Sequence, residues 1–364
     1  MQLELNYDVD FEQRIIEEFL KMKKIILFGA GVGGARVVEY IDQKCSSIKG
    51  NIECFIDNNP LKWDSEFVGI KVKKPSDVLD VGIEADTVIV ISCGEGDEIL
   101  NQLNTEYGIT ERQVYIPDLA MLKVDDKSFI RNHISLLNMT YNMLQDDKSK
   151  RVLYGVLQYK LSHDISLIKD IADNCKDQYF DKDIIAYTKD GIFVDCGGYI
   201  GDTIESYVNH SKGVYGEVIS FEADHENAEI IRNKYPCVEV KEIAVWSERT
   251  KLLFDCLGSG SGKVSEDESL SYELEVESDT IDNVCDNKRV SYIKMDIEGA
   301  EYQALLGAQK VIMRDKPKLM ISVYHKQDDL IKIPLLIKSM NPDYKLYLRH
   351  YRKLSVQETV LYAV

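Results

Sequence analysis

A glycine-rich loop flanked by two carboxylates is the part of this sequence best suited to chemistry. An apolar run predicts a strand, and the loop after it contains Gly197, Gly198 and Gly201. Asp195 precedes these glycines, and Asp202 opens the next predicted helix. Glycine allows tight turns and a close approach of backbone to ligand. Two carboxylates at this helix N-terminus would repel a pyrophosphate, so the loop favours a positively charged ligand without phosphate.

S-adenosylmethionine has these properties, because it carries an ammonium group and a sulfonium and no phosphate. Glu222 ends the next predicted strand, about twenty residues after Gly201, which is the spacing of a helix crossover between adjacent strands. Its carboxylate could accept hydrogen bonds from both ribose hydroxyls. Asp202 has a plainer alternative as a helix N-cap. The predicted cofactor-binding residues are Asp195, Gly197, Gly198, Gly201, Asp202, Thr203, Glu222 and Ala244.

A second candidate centre follows the strand predicted at 291–295. Asp296 stands at the carboxyl end of this strand, and Glu298 comes just after it, at the predicted start of the next helix. His325 follows the strand predicted at 319–323 and therefore belongs to the same rim, where ligands of open α/β sheets bind. We predict that Asp296, Glu298 and His325 are catalytic, with His325 as the candidate general base near neutral pH.

These acidic residues keep competing interpretations. They could orient an acceptor hydroxyl, act as base, or bind magnesium or manganese together with His325. The metal is not the favoured interpretation, and we assign no metal ligand. The plainest alternative is that these acidic side chains only stabilise the first turn of a helix through its dipole, and Glu301 fits this interpretation best. Gln178, Tyr179 and Phe180 are candidates for the wall of the cofactor pocket. Gly258 to Gly262 is a candidate loop at the mouth of the pocket, and His350 is a candidate on the acceptor side.

These segments resemble the FkbM methyltransferases. The resemblance covers roughly the C-terminal half and is most distinctive at Ile293 to Glu301. Further matching segments are Phe193 to Thr203, Ser220 to Asp224, Leu306 to Ala308, Ser322 to Lys326, Leu348 to Tyr351 and Glu358 to Ala363. The family usually has Gly-Ala where this chain has Gly197-Gly198. The resemblance implies a class I methyltransferase fold that uses S-adenosylmethionine to methylate a hydroxyl of a sugar, glycan or related natural product.

A different glycine loop lies near the N-terminus. Gly29, Gly31 and Gly34 follow an apolar strand in the dinucleotide pattern, and Asp57 ends the next strand, where it could hold a ribose. The pattern is weak by itself, and no residues for hydride transfer accompany it. Two alternatives therefore stay open. One is an enzyme that binds NAD(P) or a nucleotide-sugar through this loop, and the other is a non-catalytic cofactor-binding scaffold.

Alternation of strands and helices in both halves predicts an α/β protein with two tandem doubly wound Rossmann-like domains. We predict a Rossmann-like domain at 1–119, a methyltransferase domain at 186–364, and between them a helical connector at 120–185 that packs on the methyltransferase domain. The methyltransferase domain should contain five parallel strands and a terminal antiparallel hairpin, whose strands run from Tyr344 to Leu348 and from Thr359 to Ala363.

Composition narrows the range of partners. The net charge is -18, with 62 acidic against 44 basic residues, so nucleic acid would be repelled. No apolar run approaches the roughly 20 residues that span a bilayer, and the first residues do not resemble a secretory signal. The eight cysteines include no Cys-x-x-Cys pair. We expect a reduced, soluble, cytoplasmic protein without membrane insertion. Its acceptor is expected to be a small molecule or glycan, nucleotide-linked sugars included. A homo-oligomer is left open.

Overall fold

The computed structural model describes residues 2–93, 96–117, 119, 124–188, 191–255, 263–264 and 273–364. It is an α/β protein with one large, mainly parallel sheet in each half and a smaller four-stranded sheet. This confirms the predicted fold class. None of the helices within those ranges is both long and apolar enough to cross a bilayer. The loop predicted at Gly258 to Gly262 lies outside the described residues.

The N-terminal sheet has six strands. They are β1 (Lys24–Phe28), β2 (Ile52–Ile56), β3 (Glu66–Phe67), β4 (Ile70–Lys73), β5 (Thr87–Ile91) and β6 (Val114–Tyr115). The helices of this region are α1 (Phe11–Lys21), α2 (Val32–Lys44), α3 (Pro75–Leu79) and α4 (Gly96–Tyr107). The sheet order is β3-β4-β2-β1-β5-β6, and only the β3–β4 pair is antiparallel among the described pairs.

Three helices connect the two large sheets. They are α5 (Asp126–Met143), α6 (Asp147–Ser162) and α7 (Ile165–Lys169). Each begins after an aspartate whose side chain accepts a backbone N–H of the first turn, which satisfies a donor that the helix itself cannot. Leu137, Leu153 and Leu157 are buried in one apolar cluster with Ile293 and Leu346 of the C-terminal sheet. The three helices therefore pack into the core of the C-terminal region.

The C-terminal region contains the other two sheets. Its strands are β7 (Ile192–Cys196), β8 (Val218–Phe221), β9 (Glu239–Lys241), β10 (Ala244–Val245), β11 (Lys251–Asp255), β12 (Lys263–Val264), β13 (Glu273–Asp279), β14 (Val290–Met295), β15 (Lys318–Ser322), β16 (Leu346–His350) and β17 (Thr359–Ala363). Its helices are α8 (Asp202–His210), α9 (His225–Lys234), α10 (Ile281–Val284), α11 (Glu301–Leu306), α12 (Gln309–Asp315) and α13 (Asp329–Met340). The small sheet has the order β10-β13-β11-β12.

The large C-terminal sheet has the order β16-β17-β15-β14-β7-β8-β9. Strand β17 is antiparallel to both of its neighbours, and the remaining pairs of this sheet are parallel. The terminal hairpin is thus observed, although its first strand begins two residues after the predicted start. The strand order reverses at β7, which lies between β8 and β14. In such sheets the crevice at the carboxyl ends of the strands beside the reversal is the usual ligand site.

A buried arginine joins the connecting helices to the large C-terminal sheet. Arg349 in β16 has a side chain that is only 4% exposed, and its guanidinium lies 2.7 Å from the Asp146 carboxylate before α6. The same guanidinium lies 3.2 Å from Asp181 and donates to the Ser149 hydroxyl at 2.9 Å. Removing one partner of such a pair leaves an uncompensated charge in a poorly solvated place.

We therefore expect Arg349→Met to lower the free energy of unfolding by about 3 kcal/mol, because it leaves Asp146 and Asp181 without their counter-charge. Urea unfolding measures this loss. The matched control is Lys332→Met, which removes an exposed ion pair with Asp328 and should change stability by less than about 1 kcal/mol. Equal stabilities of the two variants would show that the buried pair does not hold the helices to the sheet.

Candidate active site

The loop after β7 is shaped by glycines that have no room for a side chain. Gly197 has a φ of +82°, and a Cβ there would lie 2.0 Å from the carbonyl oxygen of Asp296. A Cβ on Gly198 would lie 2.3 Å from the Ser220 hydroxyl. Gly201, at φ +81°, is the residue that caps α8, so the interpretation of Asp202 as N-cap is wrong. Glycine at 197 thus lets the carboxyl ends of β7 and β14 approach each other.

Glu222 stands directly after β8. One carboxylate oxygen accepts a hydrogen bond from the backbone N–H of Tyr199 at 2.7 Å, and the other accepts one from Asp224 at 2.9 Å. These bonds fix the carboxylate at the edge of the glycine loop. Each oxygen keeps a further lone pair for a ligand hydroxyl. Burial raises the pKa of Glu222.

A cavity of about 1500 Å³ opens at these strand ends. The predicted residues that line it are Gly197, Asp202, Thr203, Glu222, Ala244, Asp296 and Glu298, with Gln178 and Tyr179 from the predicted wall. The opposite wall belongs to the N-terminal region, where α4 contributes Asp97, Leu100, Asn101 and Asn104. The Lys353 backbone N–H donates to Asp97 at 3.0 Å, which connects the two regions at the rim. The cavity is therefore built by both halves of the chain.

Several predicted residues do not line this cavity. Asp195 is fully buried, and its nearest charge is the Lys294 ammonium at 3.3 Å. Gly198 faces the Ser220 side chain, and Gly201 faces the Tyr235 ring. Phe180 packs against Phe193. Direct contact of Asp195 with a cofactor is thus not what the structure supports. Its carboxylate instead neutralises Lys294, whose ammonium donates to the Gly197 carbonyl at 2.6 Å and so braces the loop.

Asp296 is the carboxylate at the centre of the cavity rim. One oxygen accepts from the Tyr179 hydroxyl at 2.8 Å, and the other accepts from the Tyr324 hydroxyl at 3.0 Å. Burial alone would raise the pKa of Asp296, but the charges of Lys294 and His325 and the two tyrosine hydrogen bonds hold it below its ordinary value. Asp296 is consequently ionised at neutral pH.

His325 lies between carboxylates. Its Nε2 is 3.4 Å from an Asp296 oxygen and 3.9 Å from a Glu298 oxygen, and its Nδ1 is 2.9 Å from Glu301. Burial lowers the pKa of His325, but Glu301, Asp296 and Glu298 outweigh it and raise the pKa to about 9. An imidazole that already carries its proton at neutral pH cannot take another. The predicted role of His325 as general base near neutral pH is therefore not supported.

Two other sequence interpretations change. Glu298 does not begin the helix after β14, since α11 starts at Glu301; it lies in the preceding loop with a φ of +54°. His350 is fully buried in β16, where its Nδ1 lies 2.9 Å from the Thr359 hydroxyl, and burial lowers its pKa to about 4. His350 cannot contact an acceptor in the cavity.

Sequence reasoning missed two residues at the rim. Tyr324 contacts Asp296 as described above, and its signals in the sequence were its position after β15, directly before His325, and its place in the family-like segment Ser322 to Lys326. Glu358, just before β17, lines the cavity and accepts from the Gln178 amide at 2.5 Å. Burial and the nearby Asp296 raise the pKa of Glu358 to about 7. Its pairing with Gln178, across 180 residues, leaves no local pattern in the sequence.

The N-terminal glycine loop has a packing explanation. One Asp57 oxygen accepts from the Ala30 backbone N–H at 2.8 Å and from the Lys62 ammonium at 2.9 Å, and the other accepts from the Asn59 N–H. A Cβ on Gly34 would lie 2.4 Å from the Gly29 carbonyl oxygen. One oxygen of the carboxylate that would hold a ribose thus has both lone pairs engaged by its own chain, unlike either oxygen of Glu222. A nucleotide site at Gly29, Gly31, Gly34 and Asp57 remains a prediction without structural support.

Comparison with known proteins adds to this geometry. Residues 195–352 match the model of the Methyltransferase FkbM domain. The chain carries an FkbM methyltransferase domain. The resemblance found in the sequence is thereby confirmed, and the family indicates methyl transfer that depends on S-adenosylmethionine. Residues 21–115 match a second model, C2185-like, N-terminal. No curated protein is similar enough to the chain to count as a match.

One solved structure supports the fold along the whole chain, and two others match it only partly. The chain is similar to methyltransferase FkbM from Methylobacillus flagellatus, with a TM-score of 0.67 and 21% identity over 98% of this chain and 94% of that one. A putative rRNA-methylase from Clostridium thermocellum matches 55% of this chain and 92% of its own length, with 10% identity and a TM-score of 0.29. Fibrillarin from Aeropyrum pernix, solved with S-adenosyl-L-methionine bound, matches 55% of this chain and 73% of its own, with 8% identity and a TM-score of 0.29.

We expect Gly197→Ala to destabilise the protein by at least about 2 kcal/mol, because the added Cβ would meet the Asp296 carbonyl and the left-handed backbone disfavours alanine. Urea unfolding measures the change. Gly50→Ala is the control, since a Cβ there meets nothing within 4 Å. Should both variants be as stable as the parent, the strand ends would not need glycine at 197.

Proposed function

We propose that the protein transfers the methyl group of S-adenosylmethionine to a hydroxyl of a sugar, glycan or related natural product in the cavity. The observation that carries this proposal is Asp296, an ionised carboxylate at the switch point of the sheet with two tyrosine hydroxyls holding it. When bound, the cofactor supplies a methyl group activated by a sulfonium. A hydroxyl acceptor must lose its proton, and Asp296 is placed to receive it.

The residues around the glycine loop fit the proposed cofactor. Five carboxyl groups line the cavity near the loop and the rim, which suits a cationic ligand; they are Asp202, Glu222, Asp296, Glu298 and Glu358. Lys294 also lines the cavity, but Asp195 balances its charge. The apolar side chains of Ile243 and Ala244 lie on the same cavity wall as Glu222 and suit an adenine ring. We infer that Glu222 holds the ribose.

The rest of the cavity supports a polyhydroxylated acceptor. Its volume exceeds the roughly 300–1,000 Å³ of common ligand sites, so space remains beside the cofactor. Amide side chains line this space, among them Asn101, Asn104, Asn174 and Gln178. Amides both donate and accept hydrogen bonds, as sugar hydroxyls do. Asp296, Tyr179 and Tyr324 then orient the reacting hydroxyl and withdraw its proton.

The reaction is tested by incubating the protein with labelled S-adenosylmethionine and a panel of nucleotide-sugars and glycans. We expect an O-methylated product, identified by mass spectrometry, and kcat about a hundredfold lower for Asp296→Asn, which cannot accept the proton. Asp286→Asn, an exposed acid outside the cavity, is the control and should keep the parent kcat. A methyl group found on nitrogen or carbon, or an unchanged kcat for Asp296→Asn, would contradict the proposal.

Cofactor placement is tested separately by calorimetry with S-adenosylmethionine alone. We expect Glu222→Gln to weaken binding by about 10- to 100-fold, which corresponds to the loss of hydrogen bonds to a charged group. Glu226→Gln, an exposed neighbour on α9 that does not line the cavity, should leave the affinity unchanged. If Glu222→Gln bound as tightly as the parent, the ribose would have to lie elsewhere.

A further inference from the structure

Three side chains converge at one edge of the cavity in the manner of metal ligands. The distances from His325 Nε2 are 3.4 Å to an Asp296 oxygen and 3.9 Å to a Glu298 oxygen. One oxygen each of Asp296 and Glu301 and one ring nitrogen of His325 also lie within 4.8 Å of one another, with Glu301 on the Nδ1 side of the ring. Octahedral ligands of magnesium or manganese at about 2.1 Å from the ion are separated by about 3 Å, so side-chain rotations would bring the Asp296 and Glu298 oxygens and His325 Nε2 to that spacing.

The buried groups of this cluster lack hydrogen-bond partners. The His325 side chain is only 5% exposed, and its Nε2 makes no hydrogen bond within the described part of the chain, whereas its Nδ1 lies 2.9 Å from the Glu301 carboxylate. Glu301 is fully buried, and its second carboxylate oxygen is likewise without a partner there. Buried polar atoms are nearly always satisfied by a protein group, a water or an ion. Nε2 faces the two carboxylates, so a cation between them would satisfy all three side chains.

Glu301 stands where an outer carboxylate orients a metal-binding histidine. It lies 2.9 Å from His325 Nδ1, and its position is fixed because the same oxygen accepts from the Ile297 backbone N–H at 2.9 Å. Metal-ligating histidines regularly present their second ring nitrogen to such a carboxylate, which leaves the first nitrogen for the metal. Glu298 is held at φ +54°, a conformation that non-glycine residues adopt mainly where the structure over-determines it, often at functional sites.

We propose that Asp296, Glu298 and His325 bind a divalent cation such as manganese or magnesium, with Glu301 orienting the imidazole. Oxygen and imidazole ligands suit these ions, and a bound cation would displace the proton that His325 carries between the carboxylates in its absence. The role of the ion rests on the proposed function: it would bind the acceptor oxygen and make its hydroxyl more acidic, while Asp296 keeps its second oxygen for the proton. The binding itself needs neither cofactor nor acceptor.

The test uses the full chain stripped of metal with EDTA and titrated with manganese chloride alone. Electron paramagnetic resonance measures the loss of the free-ion signal, and we expect one ion per chain. Glu301→Gln should weaken binding about 10- to 100-fold through the orienting contact. Glu298→Gln, whose side chain is 33% exposed and lies outside the apolar core, should weaken it at least tenfold. Circular dichroism confirms that each variant is folded.

The control is His225→Ala, which removes an exposed histidine that pairs with Glu242 at 2.8 Å on another part of the same region. Its manganese affinity should equal that of the parent. Absence of manganese binding by the parent chain, or binding that survives both Glu298→Gln and Glu301→Gln, would overturn the metal site. Either result would leave methyl transfer and cofactor binding to be judged by their own experiments, which separates the failure of this inference from that of the proposed function.

Discussion

The close approach of β7 and β14 at their carboxyl ends is the constraint on which the site depends. Gly197 makes it sterically feasible, because any side chain at that position would collide with the Asp296 carbonyl. Lys294 then crosses between the strands, donating to the Gly197 carbonyl while Asp195 supplies the counter-charge from within the sheet. Asp296 is positioned by this junction and only afterwards adjusted by tyrosine hydrogen bonds. Asp195, which does not line the cavity, thus helps to determine where the Asp296 carboxylate lies.

Charge is the second organising feature of the cavity. The rim concentrates carboxylates that water reaches poorly, and two buried cations, Lys294 and His325, offset part of that charge. Hydrogen bonds offset the free-energy cost of burying these anions; for Asp296, the donors are the hydroxyls of Tyr179 and Tyr324. The remaining negative potential is what would attract a sulfonium cofactor and a metal cation to the same place.

Much of the fold could be predicted from local patterns. The strand–loop–helix alternation predicted the strands of the large C-terminal sheet within a few residues but not the four-stranded sheet. Parallel strands place their carboxyl ends together, so Glu222 and Asp296 could be expected at one rim. The orientation of Asp195 could not be predicted, because every residue of β7 is buried and the two faces of the strand look alike in sequence. Tyr179 and Glu358 reach Asp296 and Gln178 through contacts across more than a hundred residues. The charge state of His325 depends on the carboxylates of Asp296, Glu298 and Glu301, which lie on another loop and helix start, so its own sequence context favoured a base and its surroundings do not.

The cavity residues of α4 and the strands that position Asp296 lie in different halves of the chain. Asn101 and Asn104 are exposed on a helix of the N-terminal region, whereas the strands that position Asp296 belong to a different hydrophobic core. Substitutions on the outer face of α4 therefore cost little stability and leave the junction of β7 and β14 untouched. Selection could reshape the cavity for new acceptors on one half of the chain while the half with the methyltransferase domain stays constant. In evolutionary terms, the division of the cavity between two regions would make acceptor preference modular if the proposed acceptor contacts α4.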